Sequence, residues 1–354
     1  MWYAYHMSVG GLERPEEVGE MATIRDVARL ARVTPTTVSR VLNNSGYVKE
    51  DTRKRVETAI ADLAYLPTTV GQSLRFKRTQ TLGLVISDIS SMFWITVIRG
   101  AERFARAHGY SLVLIDTESS EQQQRNALEN LIRRQVDGII LMPVSASTEP
   151  IRFVQRQGIP IVVLDHPMRD EQVDVVRCDT EQASYDLTRL LIERGHRKIA
   201  MITGPNNFAT ATDRADGYRR ALRDAGLPVE ETRVLYGRFL PESGAAMAGK
   251  LLELDDRPTA VVTGNDFIAL GAINTFRKAG IRIPEDLSMV TFDVAPEDLV
   301  LDPFFTSALQ PGALMGERAA EILLRRLDGQ EMPYEEVLLP TRIAEFSSTA
   351  CPRA

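Results

Sequence analysis

The chain has 354 residues, 44% of them hydrophobic and 25% charged, which suggests two or three domains of an ordinary soluble protein. No apolar run reaches membrane-spanning length, and the two distant cysteines, Cys178 and Cys351, exclude a disulfide scaffold and suit a reducing compartment. The net charge is −6, yet Met21–Gln80 carries eleven Lys and Arg against five Asp and Glu, so a unit of +6 precedes a remainder of −12. Such asymmetry points to a polyanion partner for the first unit alone, with a merely solvated basic face left open.

Residues 1–20 lack the apolar core of a signal peptide and are expected to form a poorly ordered extension, with Met21 a second candidate start. Between residues 21 and 67, Thr23 can cap a helix bearing Ile24, Val27, Ala28 and Ala31 at helical spacing. Thr34 is a second cap, and Pro35 follows at the first helical position, where its missing N–H costs nothing. Val38, Val41 and Leu42 stripe this second helix, and two short helices so joined form a helix-turn-helix. Its front presents Pro35, Thr36, Thr37, Ser39 and Arg40, small or hydrogen-bonding groups, and Arg40 has the fork that grips a guanine edge. Spacing alone leaves a generic helical hairpin open. A third helix is expected to bury Val56, Ile60, Leu63 and Leu66 and to end at Pro67, with Lys49, Arg53, Lys54 and Arg55 available to phosphates.

The stretch "TIRDVARLARVTPTTVSRVLN…VKEDTRKRVETAIADLAYLP" resembles the headpiece of the lactose-repressor/galactose-repressor family of bacterial transcription regulators, and the likeness continues to the C-terminus. It implies an all-α helix-turn-helix headpiece, then a hinge helix over residues 68–80 in which Leu74 matches a minor-groove wedge. Thr23, Asn43, Tyr47 and Tyr65 complete the set expected at DNA.

From Thr81, apolar strand-like runs such as "LGLVIS", "GIILMP" and "IPIVVLD" alternate with amphipathic helical ones, which means parallel sheets covered on both faces. The strands are too many for one small sheet, so two lobes are expected. The resemblance implies the α/β, two-lobed, type I periplasmic-binding-protein-like fold over 81–354. Lobe 1 is expected at 81–178 and 308–340 and lobe 2 at 179–307 and 341–350, with crossings near 177–181, 304–309 and 338–342. A ligand would lie between the lobes, at the C-terminal ends of the strands.

The resemblance assigns Phe93 and Trp94 as an aromatic pair facing the ligand, Arg214 as a fork for its oxygens, and Phe239 as a second stacking ring. It also assigns Asn265 and Asp293, both at strand ends, as ligand contacts. Gln310 lies by a crossing, and Asp116, His166 and Phe208 are further candidates. Each alone has a structural explanation, since an Asp at a strand end is commonly a helix cap. His108 and His196 sit beside glycines at helix ends, where a cationic cap is the plain expectation.

No phosphate-loop, dinucleotide, zincin or nucleophile-elbow motif occurs, so no enzyme, cofactor or metal site is expected. The expectation is a cytoplasmic, nucleoid-associated repressor binding a near-palindromic double-stranded DNA operator as a homodimer, with a tetramer open. Its effector would be a sugar or sugar derivative, with a purine second. A solute-binding protein of a transport system is the alternative, and a cleft enzyme a third reading.

Overall fold

The computed structural model describes residues 22–66, 78–168, 171–293 and 303–353, and the chain divides between Lys77 and Arg78 into two compact units. The expected extension at 1–20, Pro67, and hinge residues 68–77 with Leu74 lie outside the described residues.

The first unit packs α1 (Ile24–Ala31), α2 (Pro35–Leu42) and α3 (Glu50–Asp62) around Val27, Val38, Val56 and Tyr65. Each helix start is fixed locally. The Asp26 carboxylate accepts from the Thr23 amide at 3.0 Å and hydroxyl at 2.6 Å, and the Thr34 hydroxyl accepts from the Thr37 amide at 3.3 Å. Arg32, at φ 54°, takes the left-handed turn that ends α1. α3 begins at Lys49 with no side-chain cap, but Glu50 and Asp51 place negative charge at its positive end.

α3 stops before the expected boundary. Ala64 turns left-handed at φ 46°, and the Tyr65 amide donates back to the Ile60 carbonyl at 3.0 Å. This swings Leu66 out to 82% exposure, whereas Tyr65 goes into the core. Leu66 is therefore not an inner-face residue, and Tyr65, expected at DNA, packs in the core of the first unit at 8% exposure.

The second unit holds two six-stranded sheets, each in the order expected of a doubly wound fold. In the first, β1 (Thr81–Ile86), β2 (Ser111–Asp116), β3 (Gly138–Leu141), β4 (Ile161–Leu164) and β5 (Asp174–Cys178) alternate with α4 (Met92–Ala107), α5 (Glu121–Arg133) and α6 (Glu149–Gln155). The second sheet is built from β6 (Ile199–Thr203), β7 (Val234–Tyr236), β8 (Ala260–Thr263), β9 (Ser288–Phe292) and β10 (Thr306–Leu309). Its helices are α7 (Thr180–Glu193), α8 (Ala209–Asp224), α9 (Pro241–Leu252) and α10 (Asp266–Lys278). The middle strands are buried end to end because helices cover both faces, which is why they read as unbroken apolar runs. Two apolar clusters sandwich each sheet.

The chain then returns. α11 (Gly312–Leu327) packs on α4 in the first lobe, β11 (Glu336–Leu339) pairs parallel with β5, and β12 (Arg342–Ala344) pairs antiparallel with β10. Chain passages therefore follow Cys178, Leu309 and Leu339. The passage expected near 304–309 comes at the end of that range, because β10 pairs with β9 and β12 and so belongs wholly to the second sheet. α4 and α11 touch backbone to backbone: a Cβ on Gly100 would overlap the Ala313 carbonyl, and one on Gly316 the Val97 carbonyl.

The C-terminal residues are stitched to the second lobe. The Met289 amide donates to the Ser348 carbonyl at 2.9 Å. His196 is 1% exposed and hydrogen-bonds Thr259 at 2.9 Å through Nδ1 and both Ser288 and the Ala350 carbonyl through Nε2. Burial chiefly depresses its pKa, so His196 is a neutral tie between lobe and tail rather than a cationic cap.

Candidate functional site

Two surfaces carry functional chemistry. On the first unit, α2 buries Val38 and Val41 and leaves Pro35, Thr36, Arg40 and Asn43 exposed, with Thr37 and Ser39 half-buried. Part of this front is self-engaged. Thr34 and Thr37 share a hydroxyl contact of 3.0 Å, and the Asn43 amide donates to the Ser39 carbonyl at 2.8 Å. These bonds hold the polar side chains in fixed orientations. Tyr47, 88% exposed, stands on the loop before α3. A helix of this size with a compact polar front suits the major groove.

On the second unit, a cleft of about 520 Å³ opens between the lobes. The start of α4 supplies one wall, with Phe93 and Trp94 edge to face at 5.0 Å. The second lobe answers with Phe239, whose ring lies over Gly204, where a Cβ would occupy the ring's place. The polar floor is Arg214 on α8. Its Nη1 donates to the Gly264 carbonyl, its Nη2 stands 3.5 Å from Asp293, and its guanidinium stacks on Phe292 at 4.2 Å. Arg214 is 2% exposed, and its Nε has no hydrogen-bond partner, a buried donor awaiting an acceptor. Asn265 caps α10 by accepting from the Ile268 amide at 3.0 Å, and it also lines the cleft, so capping and ligand contact coexist there. Phe208, at the start of α8, completes the rim.

Residues 79–344 match the family described as periplasmic binding proteins and sugar binding domain of LacI family, and residues 23–68 match bacterial regulatory proteins, lacI family. The chain belongs to the lacI family of bacterial regulatory proteins. It is 36% identical over 329 residues to the HTH-type transcriptional repressor PurR of Vibrio atlanticus (strain LGP32), a match covering 93% of this chain and 98% of that one. Among solved structures, a transcriptional regulator CelR–cellobiose complex is similar at a TM-score of 0.71 and 32% identity, covering 92% of this chain and 99% of that one. The Lac repressor dimer bound to operator and the anti-inducer ONPF is similar at a TM-score of 0.82 and 26% identity, covering 94% and 100%. As a lacI-family member the chain is a DNA-binding transcription regulator under small-ligand control. Among the described residues no helix is long and apolar enough to cross a membrane.

Three expected contacts of this lacI-family cleft lie outside its lining. Asp116 instead accepts from the Ile89 amide at 3.0 Å and the Glu118 amide at 2.9 Å, tying down the loops around the cleft mouth. His166 is 6% exposed, packs edge to face with Phe208 at 5.8 Å, and has its pKa depressed by burial and then by Arg177. Gln310 donates to Asp293 and so positions that carboxylate.

Sequence reasoning missed Asp165, Thr210 and Arg238, all of which line the cleft. Asp165 follows β4 at φ 55° and Asp293 follows β9 at φ 65°, so each lobe places an Asp in a left-handed conformation at the equivalent strand end. The signal was present, since "VVLD" and "VTFD" have the same form. Burial pushes the Asp165 carboxyl up to about 7, against the pull of Arg214. Burial likewise pushes Asp266 up to about 7, with the Asp293 charge adding to it, and raises Asp293 despite Arg214 beside it.

Proposed function

We propose that this regulator represses transcription as a homodimer in the cytoplasm, without enzymatic activity, and that a sugar or sugar derivative in the interlobe cleft sets its operator affinity. The carrying observation is the pairing of aromatic walls, Phe93 and Trp94 against Phe239, with the polar floor of Arg214, Asp293 and Asn265. Rings accept the C–H face of a pyranose, and the floor takes its hydroxyls. The cellobiose bound to a relative supports this class. At DNA, Thr36, Ser39 and Arg40 would meet base edges, with Thr23, Thr34, Pro35, Thr37, Asn43 and Tyr47 orienting them or holding phosphates.

The test begins with a thermal-shift screen of sugars and nucleobases, since a ligand that binds only the folded state raises its stability. Operator titrations follow, with and without the hit. Asp293→Ala is expected to lose the ligand response while ligand-free operator affinity stays within about twofold, a change of under roughly 0.5 kcal/mol. A mutant that responds at wild-type ligand concentrations would remove Asp293 from the effector site.

A further inference from the structure

We propose that the effector carries a protonated amine, as in an amino sugar or amino-alditol, and that its ammonium group pairs with Asp165. The inference rests on the cleft being the effector site and concerns what that cleft selects.

The first support is charge. Asp88, Glu118, Glu121, Asp165 and Asp293 line the cleft, against Arg214 and Arg238 alone. The excess is acidic, so phosphorylated sugars, nucleotides and carboxylates would meet repulsion on entry.

The second support is how the cations are engaged. Arg214 is committed to Asp293 and to the Gly264 carbonyl. Asp165 has only the Thr210 hydroxyl at 3.4 Å, and that hydroxyl bonds the Asp165 backbone carbonyl more closely, at 3.0 Å. Among the described residues Asp165 forms no ion pair. Glu118 and Glu121 also form no ion pair among the described residues but are exposed, and Asp88 accepts from the Ser90 amide and hydroxyl, which leaves Asp165 as the partly buried cleft carboxylate open to a cation from outside.

The third support is independent of the acids. The unpartnered Nε of Arg214, on a side chain 2% exposed, calls for a ligand oxygen on the same floor. A hydroxyl near an amine satisfies both groups, and an amino sugar carries the two on adjacent carbons.

Without ligand, a proton fills the same need, which agrees with the pKa of Asp165, raised chiefly by burial and further by Asp293 against the pull of Arg214 and Arg177. When an ammonium binds the protonated form, that proton leaves to solvent and the charge on the site is unchanged. A neutral sugar offers no such exchange and faces the acidic floor with hydroxyls only.

The experiment uses the full chain and matched pairs that differ in amine charge: D-glucosamine with N-acetyl-D-glucosamine, and chitobiose with N,N′-diacetylchitobiose. Titration calorimetry at pH 7 is expected to show the amine member of at least one pair binding about tenfold or more tighter, the scale of one hydrogen bond to a charged group. Asp165→Asn should shrink that preference to within about twofold, and Asp165→Glu, which keeps the charge, should retain most of it. Thermal unfolding of both variants checks that they fold. Equal affinities within both pairs, no binding by either pair, or a preference that survives Asp165→Asn would overturn the proposal. If cellobiose then binds wild type but not Arg214→Ala, the cleft is still the effector site and only the amine is lost.

Discussion

Asp165 links the chemistry of the cleft to the stability of the fold. Its carboxyl has an ordinary value of 3.8 and is pushed up to about 7 in the folded protein, with burial the main cause. Between those values the folded state keeps a proton that the unfolded chain has released, so folding stability falls as pH rises through that window. Asp165→Asn, which cannot ionise, is therefore expected to melt higher than wild type at pH 8 and no higher at pH 4, read from unfolding curves of the ligand-free protein. A wild-type advantage at pH 8 would mean that the carboxylate finds a partner there. At the other surface, Arg40→Ala should relax base choice at one position of each half-site by roughly 1–3 kcal/mol, measured on single-base operator variants. Residue positions were legible where the signal is local, as with Pro35 opening α2, or where the resemblance supplied them, as with Arg214 in the cleft lining. They were not legible for Asp116, His166 and Gln310, because position along the chain does not say which way a side chain points. Asp165 shares with Asp293 the strand-end form seen in "VVLD" and "VTFD", and it is the matching strand orders of the two sheets that give the likeness its meaning.

At the scale of elements, α8 is the piece of the second lobe that reaches the first. Its Thr210 hydroxyl donates to the Asp165 carbonyl at 3.0 Å, and its Asp213 stands 3.3 Å from Arg177 on β5, which Glu336 on β11 also engages. These contacts hold the lobes together without ligand, so Asp213→Asn should favour opening. Small-angle scattering of the ligand-free variant should show a larger radius of gyration than wild type, and a saturating cleft ligand should reduce the difference. Identical profiles would show that the pair does not bias the lobes. The α4–α11 contact gives a sharper packing test. Gly316→Ala inserts a methyl group against the Val97 carbonyl, and chain unfolding should then require roughly 1–3 kcal/mol less. Helix starts were readable because their signals are local: Thr34 before Pro35, Asp26 three residues after Thr23. The end of α3 was not, because the apolar spacing runs on through Leu63 and Leu66 while a left-handed Ala64 has already turned the chain. The sheet that claims β10 was hidden for a related reason, since a buried strand reads the same in either lobe.

Taken whole, the molecule joins a DNA-reading unit to a ligand-reading one, and the joint effect has a fixed thermodynamic form. Whatever factor the effector applies to operator affinity, operator must apply to effector affinity. The binding constant of the ligand found by screening is therefore expected to shift on adding operator by the factor seen in the DNA titrations, and a mismatch would mean that a further equilibrium, such as subunit association, is in play. The last segment of the chain adds a constraint of another kind. β11 completes the edge of one sheet and β12, three residues later, the edge of the other. A ribosome therefore completes the first lobe's sheet only at residue 339 and the second lobe's only at residue 344, although the last helix of the helix-turn-helix unit ends at residue 62. At about 5–20 residues per second, the interval is on the order of 15–55 s. Within it, β5 from residue 178 and then β10 from residue 309 expose bare edges that invite pairing with other chains until the returning strands are made. Messages broken within that stretch would yield chains with the operator-reading segment but an unfinished sensor, and such fragments should need chaperones or proteases far more than the finished regulator does.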